Sequence, residues 1–437
     1  MDGDTRGRVV VLGAGFAGLR AVRSLGRAGI DTLWVDERNY HCFLPLLYQV
    51  ATAGLEPQDI AYPARSILRR LSTVEFRLAE IVGGDPAAHR LETAEGDHIP
   101  YAQLIVAAGG TAEDFGIPGV HEYTFQLYDL EDARALRNHV LRTLERATVA
   151  TDPAERAALL TFVIVGGGAT GVEMAGALAE FRRHVLPRDY RGLRAAEIRI
   201  VVIEAGPYVL APYPDSLRTR ARRDLEDFGV EVRTGARVER ILPDAVELAG
   251  GERLHTHTVV WAAGIRAASV AGHFAGLATG RSGRLRVAAT LQVPEHPDVF
   301  AAGDIALVDG AERLPQVAQV AIQQGEHAAA NIRRLRRGDP LLPFRYDDKG
   351  SMATIGRSRA VAVIGRLRLQ GVVAWWFWLA VHLVMLIGFR NRLVVLVNWA
   401  WNYLTYDRGL RAIVGREPDA PPFTAQEPRR AAGGGPG

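Results

Sequence analysis

The stretch RVVVLGAGFAGL, residues 8–19, decides the fold. Val9 to Leu12 read as a strand buried on both faces, and the run breaks at Gly13, Gly15 and Gly18. The first glycine serves a tight turn, the second lets backbone approach a pyrophosphate, and the third packs helix on strand. The N–H groups that open the helix then face the anion. Asp36 ends the next strand, DTLWVD, where a carboxylate accepts hydrogen bonds from a ribose. A glycine fingerprint alone is a weak signal; flanked by a strand, a helix and this acid, it predicts a dinucleotide site.

The pattern recurs in LLTFVIVGGGATGVEMAGALAEF (159–181), with Gly166, Gly168 and Gly171, and Glu204 ends the following strand, EIRIVVIE. Glu204 stands further from its fingerprint than the usual ~20 residues, so FRRHVLPRDYRGLRAAE is read as carrying an insertion. QLIVAAGG (103–110) is echoed by HTVVWAAGI (257–265), which places Gly109 and Gly264 with the cofactors. The chain is therefore an internal duplication, α/β in class: two Rossmann-like dinucleotide-binding domains, glutathione-reductase-like in arrangement. PDVFAAGDIA (297–306) has no fingerprint of its own and is assigned back to the first domain, with Gly303 and Asp304 beside a flavin's ribityl chain. Expected boundaries are 1–120 with 285–335 for FAD, 121–284 for NADH, 336–412 for a C-terminal membrane-associated region, and 413–437 for a disordered, Pro- and Gly-rich tail. Residues 1–7 read as a frayed leader, and no helix or strand pattern is visible from about 336 to 371. Two adjoining sites point to one flavin and one nicotinamide, and an acid at position 204 repels a 2′-phosphate, which favours NADH over NADPH.

Composition narrows the class further. At 48% hydrophobic, 23% charged and a net charge of +3, the chain is an ordinary globular one, and no basic stripe carries interleaved aromatics, so nucleic acid is a poor partner. The lone Cys42 excludes an internal disulfide, a dithiol couple or a cysteine metal cluster; no metal site is expected. An acidic start and a four-residue apolar run do not make a signal peptide, so the protein is expected on the cytoplasmic side. Of 52 basic residues, one alone is lysine, Lys349. An Arg-rich chain that keeps a single Lys suggests a tight site for a compact ammonium.

WWFWLAVHLVMLIGFRNRLVVLVNWAWNYL, residues 375–404, holds five of the seven tryptophans, and Arg390 and Arg392 are its charges. The run from 371 to 389 would reach about 28 Å as one helix, at ~1.5 Å per residue, against a ~30 Å hydrocarbon layer. A second run, 393–404, is too short to span and carries interfacial Trp, Tyr and Asn. Helices lying on one leaflet are favoured; a single span or a buried dimer interface are the other readings.

Together, YHCFLPLLYQVATAGLEPQDIA, VVIEAGP, AQVAIQQG, YDDKGSMATIGR and GFRNRL…WAWNYLT, with the second fingerprint, resemble the type II NADH dehydrogenases, over about residues 8–415. The resemblance implies non-covalent FAD, NADH as donor, a membrane quinone (menaquinone or ubiquinone) as acceptor, a monotopic position on the cytoplasmic face of the cell membrane, and no proton pumping; a homodimer is left open. It further implies that Gln319 and Gln323, four apart on a helix, face the flavin edge and a quinone carbonyl. Glu173 then lies near the nicotinamide and flavin, Lys349 near the flavin, and Tyr48 and Gln49 along the flavin face. Two departures stand out: AAGG where the family has a Thr, and Asp114 where it has an aromatic. Sulfide:quinone oxidoreductases share the architecture but need cysteines at the flavin. Soluble ferredoxin- or disulfide-type reductases lack the apolar end. A membrane-docked NADH sensor, or a quinone reductase using NADPH or another donor, are the remaining alternatives.

Overall fold

The computed structural model describes residues 7–311, 314–405 and 411–414. The expected frayed start and disordered tail fall almost wholly outside these residues. Val9–Leu12 is the middle of a six-stranded sheet, flanked in parallel by Thr32–Asp36 and Gln103–Val106. Val9, Val10 and Val11 are fully buried, as a strand covered on both faces must be. His296–Ala301 joins this sheet in parallel beside Gln103–Val106, although nearly two hundred residues separate them. A second parallel sheet repeats the plan, with Thr161–Val165 between Arg199–Glu204 and Thr258–Trp261. Short helical turns at Leu186–Asp189 and Ala195–Glu197 occupy the insertion read before Glu204.

Each sheet is followed by a glycine-turn helix, Phe16–Arg27 and Ala169–His184. The first packs along Ala318–Arg337, and small residues set their spacing. A Cβ at Gly325 would stand 2.1 Å from the Ala17 carbonyl oxygen.

Between 349 and 371, where the sequence shows no clear period, the chain forms a three-stranded antiparallel meander, Ser351–Gly356, Arg359–Ile364 and Leu367–Gln370. The first two strands are rich in small residues and the third has only four residues, so the period is weak or too short to read. The apolar run from 371 does not continue to 389 as one helix. The Trp-rich helix Gly371–Met385 ends at Leu386, which is extended (φ −63°, ψ 138°), and a closing helix, Phe389–Thr405, begins after Gly388. Gly388 has φ +86°, and Tyr62 fills the space a side chain would need. Arg392 donates to the Leu386 and Val384 carbonyls that the break leaves open. Fifteen residues reach ~22 Å, and no helix among the described residues is long and apolar enough to cross a membrane. The two helices are joined by aromatic contacts, Trp375 on Tyr403 and Trp378 on Trp399, while Val373, Trp376, Val384 and Phe389 are exposed.

Gly325→Ala should cost about 1–3 kcal/mol, because the new methyl meets fixed backbone rather than a movable side chain. A lowered urea midpoint with an unchanged slope checks this; an unchanged midpoint counts against the helix contact.

Candidate active site

The two glycine turns match atom for atom. Gly13 (φ +108°) and Gly166 (φ +113°) lie so close to the Ala107 and Ala262 carbonyl oxygens that a Cβ would stand 2.2 and 2.6 Å away. Gly18 and Gly171 press on the carbonyls of Gly13 and Gly166, where a Cβ would stand at 1.8 and 1.9 Å. Around Gly15 and Gly168 nothing lies within 4 Å. The second glycine of each turn thus faces open space at a helix start, where a pyrophosphate would sit.

The strand-end acids do more than expected. Asp36 accepts from the Ala14 N–H at 2.5 Å with Oδ2 and from the Arg38 N–H at 2.7 Å with Oδ1. Glu204 accepts from Gly167 N at 2.7 Å and Gly206 N at 2.6 Å. Each carboxylate therefore fixes its own turn. Trp34 Nε1 donates to Gly13 O and His41 Nδ1 contacts Ala14 O at 2.7 Å, so the first turn is held from three sides. Burial lowers the His41 pKa to about 4, which makes the ring neutral and Nδ1 the donor.

Gly303 (φ +84°) and Asp304 follow the returning strand. Burial pushes the Asp304 carboxyl up to about 6, opposed by Arg284. The Gly303 N–H donates to Oε1 of Gln324, which is fully buried. This residue was not singled out in the sequence, where it is the second Gln of an IQQ run whose partner lies far away in the chain. Its neighbours Gln319 and Gln323 do share a helix face, and both amides reach the 347–350 segment: Gln319 Nε2 donates to Gly350 O and Gln323 Nε2 to Asp347 O. Gln319 Oε1 is buried without a partner among the described residues. Lys349 lies on that same segment, exposed and paired with Asp347. Its partner is a carboxylate two residues away on the same segment, and Asp348 lies between them. Gly109 (φ +72°) is open, whereas Gly264 (φ +72°) lies under Phe115 and its carbonyl accepts from Tyr128 Oη.

A cavity of about 480 Å³ lies between Ala169–His184, the Tyr48–Gln49 segment, the first meander strand and the two closing helices. Glu173, Tyr48 and Gln49 line it together with Trp375, Trp378 and Trp399. Gln319, Gln323 and Lys349 do not. Trp399 Nε1 donates to Gln49 Oε1 at 2.8 Å. Glu173 Oε1 accepts from Thr354 N at 3.3 Å. Burial pushes its carboxyl up to about 8, and the Thr354 N–H and Trp378 indole offset this only in part. An acid protonated near neutral pH is thus set against an apolar, aromatic-walled chamber.

A family model described as pyridine nucleotide-disulphide oxidoreductase matches residues 7–325, and one described as NDH2 C-terminal domain matches 349–406. Two proteins of Mycobacterium tuberculosis, both called type II NADH:quinone oxidoreductase, are 40% and 37% identical to this chain, covering 94% of it and 90% and 91% of their own lengths. The chain belongs to the type II NADH:quinone oxidoreductases. The fold agrees: the structure of NDH2 from Plasmodium falciparum in complex with NADH superposes with a TM-score of 0.85 at 18% identity, over 94% of this chain and all of that one. Within this type II enzyme burial pushes the lone Cys42 thiol up to about 12, away from the thiolate form. Sulfide chemistry of the kind that needs flavin-facing cysteines has no residues here to perform it.

A carboxyl whose pKa climbs from 4.5 to about 8 on folding keeps a proton that the unfolded chain has released, so stability falls as pH rises through that interval. Glu173→Gln removes the slope. The variant should gain on the parent from about pH 5 to 8, by at most ~1.4 kcal/mol per pH unit. Parallel urea–pH profiles for the two proteins would contradict this.

Proposed function

We propose that this protein oxidises NADH through a non-covalent FAD and passes two electrons to menaquinone or ubiquinone in the membrane, without pumping protons. The 480 Å³ cavity carries the reading: one wall is the helix of the second nucleotide turn, and the other is the pair of apolar helices whose outer faces are exposed. An aqueous donor and a lipid acceptor can then meet across one protein wall. We assign 1–120 with 285–335 to FAD, 121–284 to NADH, and 336–412 to docking on the cytoplasmic face of the membrane.

The first turn suits FAD. Gly15 leaves room for the pyrophosphate, Asp36 sits at strand end, Asp304 is a desolvated carboxyl beside a positive-φ glycine, and Gln319 Oε1 awaits a donor. When bound, FAD supplies the two-electron carrier between hydride donor and quinone. The chain does the rest. Residues 13–16 and 166–169 bind the two pyrophosphates through helix N-termini. Glu204 keeps the second turn in shape and places negative charge where a 2′-phosphate would lie, which favours NADH. The Trp-walled chamber excludes water from the quinone head, and Glu173 holds a proton at its carboxyl for the quinone oxygen. Gln319, Gln323 and Lys349 order the 347–350 segment over the nucleotide side.

Gly15 and Gly168 have ordinary φ values of −71° and −69° and open space beyond them, so each tolerates a side chain until a dinucleotide arrives. Gly15→Val should give a folded protein without flavin absorbance. Gly168→Val should keep the flavin spectrum and lose its bleaching by NADH. Loss of flavin from Gly168→Val, or retention in Gly15→Val, would reverse the assignment. With the parent protein, NADH should be preferred to NADPH in quinone reduction.

Val373 and Val384 are 64% and 66% exposed. Changing both to Glu should lower co-sedimentation with vesicles and slow reduction of a long-chain quinone far more than that of ferricyanide. Equal losses with the two acceptors would argue against docking through these helices.

A further inference from the structure

One stripe of the cavity wall continues beyond Glu173 along the same helix. Glu173, Ala177, Glu180 and His184 all line the chamber, and their spacing places them on one face of Ala169–His184. Much of the remaining lining is apolar or aromatic, so this helix draws a polar line along an oily wall. The line starts at a buried carboxyl and runs toward more exposed residues, for Glu180 and His184 are half-buried. It ends near the protein surface: Arg188, on the short helix that follows, donates to Thr405 O at the end of the closing helix.

The overall reaction needs such a line. NADH + H⁺ + quinone gives NAD⁺ + quinol. The hydride carries both electrons and one proton, and the second proton must come from water. If Glu173 gives its proton to a quinone oxygen, its carboxylate must be reprotonated at a site that burial has sealed.

We propose that Glu180 and His184 relay this second proton, through cavity water, from the surface to Glu173. The inference rests on Glu173 as proton donor to the quinone. Along the helix axis the steps are ~10 Å and ~6 Å, too long for direct transfer and suited to one or two bridging waters with polar partners on the stripe. Ala177 leaves space beside the first step. Glu180 Oε1 accepts from the Arg357 N–H, and the Arg357 guanidinium lies 3.7 Å from the Tyr403 ring centroid, which sets the far wall of the line. The other titratable or charged groups on packed elements include Tyr48 and Tyr403 in the lining, Tyr213 beside Glu173, His382 stacked on Trp378 and kept neutral by burial, Asp224 and Asp227 paired with Arg359, and Arg188 and Asp189 beyond His184, Asp189 being paired with Arg411. Burial raises the Tyr213 pKa well above its usual value, so it does not exchange protons near neutrality.

The test is single turnover of the flavin-loaded enzyme. Protein reduced with one equivalent of NADH is mixed with a short-chain benzoquinone, while flavin absorbance and a pH-indicator dye report reoxidation and proton uptake. Glu173→Gln should slow reoxidation by about 10²-fold. Glu180→Gln and His184→Ala should slow proton uptake and reoxidation by about tenfold at alkaline pH, less in acid, with a larger solvent isotope effect. Imidazole in the buffer should restore His184→Ala, which a merely structural loss would not allow. Because Glu180 also anchors Arg357, His184→Gln provides a second variant, expected to be as slow as His184→Ala at alkaline pH, less so in acid, and, with the site still filled by a side chain, not restored by imidazole. A slow Glu173→Gln beside normal pH profiles in the Glu180 and His184 variants overturns the relay alone. Normal reoxidation in Glu173→Gln overturns the relay and the reading beneath it.

Discussion

Gly176 lies against the backbone of Ile355, where a Cβ would stand 1.9 Å from the carbonyl oxygen. That approach, possible only without a side chain, seats the first strand of the meander directly on the helix Ala169–His184. The meander in turn carries the Trp-rich helix, so the apolar C-terminal end is fixed to the same helix that opens the second nucleotide turn. Glu173, one turn before Gly176, then finds Thr354 N as a hydrogen-bond donor. The cavity is a consequence of this seating. Its floor and its acid belong to a nucleotide-binding helix, and its roof belongs to the last described helices.

The duplicated half-molecules solve one problem twice. A glycine turn has backbone N–H groups to satisfy, and a strand-end carboxylate accepts them in both halves. The acids thus have a folding role before any ligand binds, which is why each stands at the same point of its sheet despite the insertion before Glu204. It also means that removing either acid would disturb the turn as well as any ribose contact, so a loss of binding alone could not separate the two roles.

The sequence made the two turns legible because their requirements are local: a buried strand, three glycines and an acid. The return of His296–Ala301 to the first sheet was legible for the same reason, since a buried strand lacking its own fingerprint needs a sheet to join. The meander was not, because strands of four to six residues, two of them mixing small and apolar residues, give little period to read. The break at Leu386 was also hidden. Hydropathy runs straight through it, and what makes it affordable is Arg392, six residues on, folding back onto open carbonyls. Gln324 escaped notice because its role depends on Gly303, a contact made by the fold. The apolar run from 371 was legible, with Trp375, Trp376 and Trp378 in it, but which of its side chains line a cavity and which stay exposed depends on the meander it packs against.

Charge completes the picture. From Lys349 to Tyr406 the chain has no acid at all, so the roof of the cavity brings no negative charge to it, and Arg357 brings positive charge. Glu173 is therefore the acid closest to a purely apolar setting, and desolvation keeps it neutral rather than paired. A neutral carboxyl in such a chamber can donate to an oxygen that gains electron density and becomes the stronger base as it does so. A carboxylate held by a fixed cation would be poorly suited to that task, because the ion pair would keep its proton affinity low. Glu173 has no salt-bridge partner among the described residues and the roof carries no acids, so no neighbouring charge opposes the desolvation that keeps this carboxyl neutral.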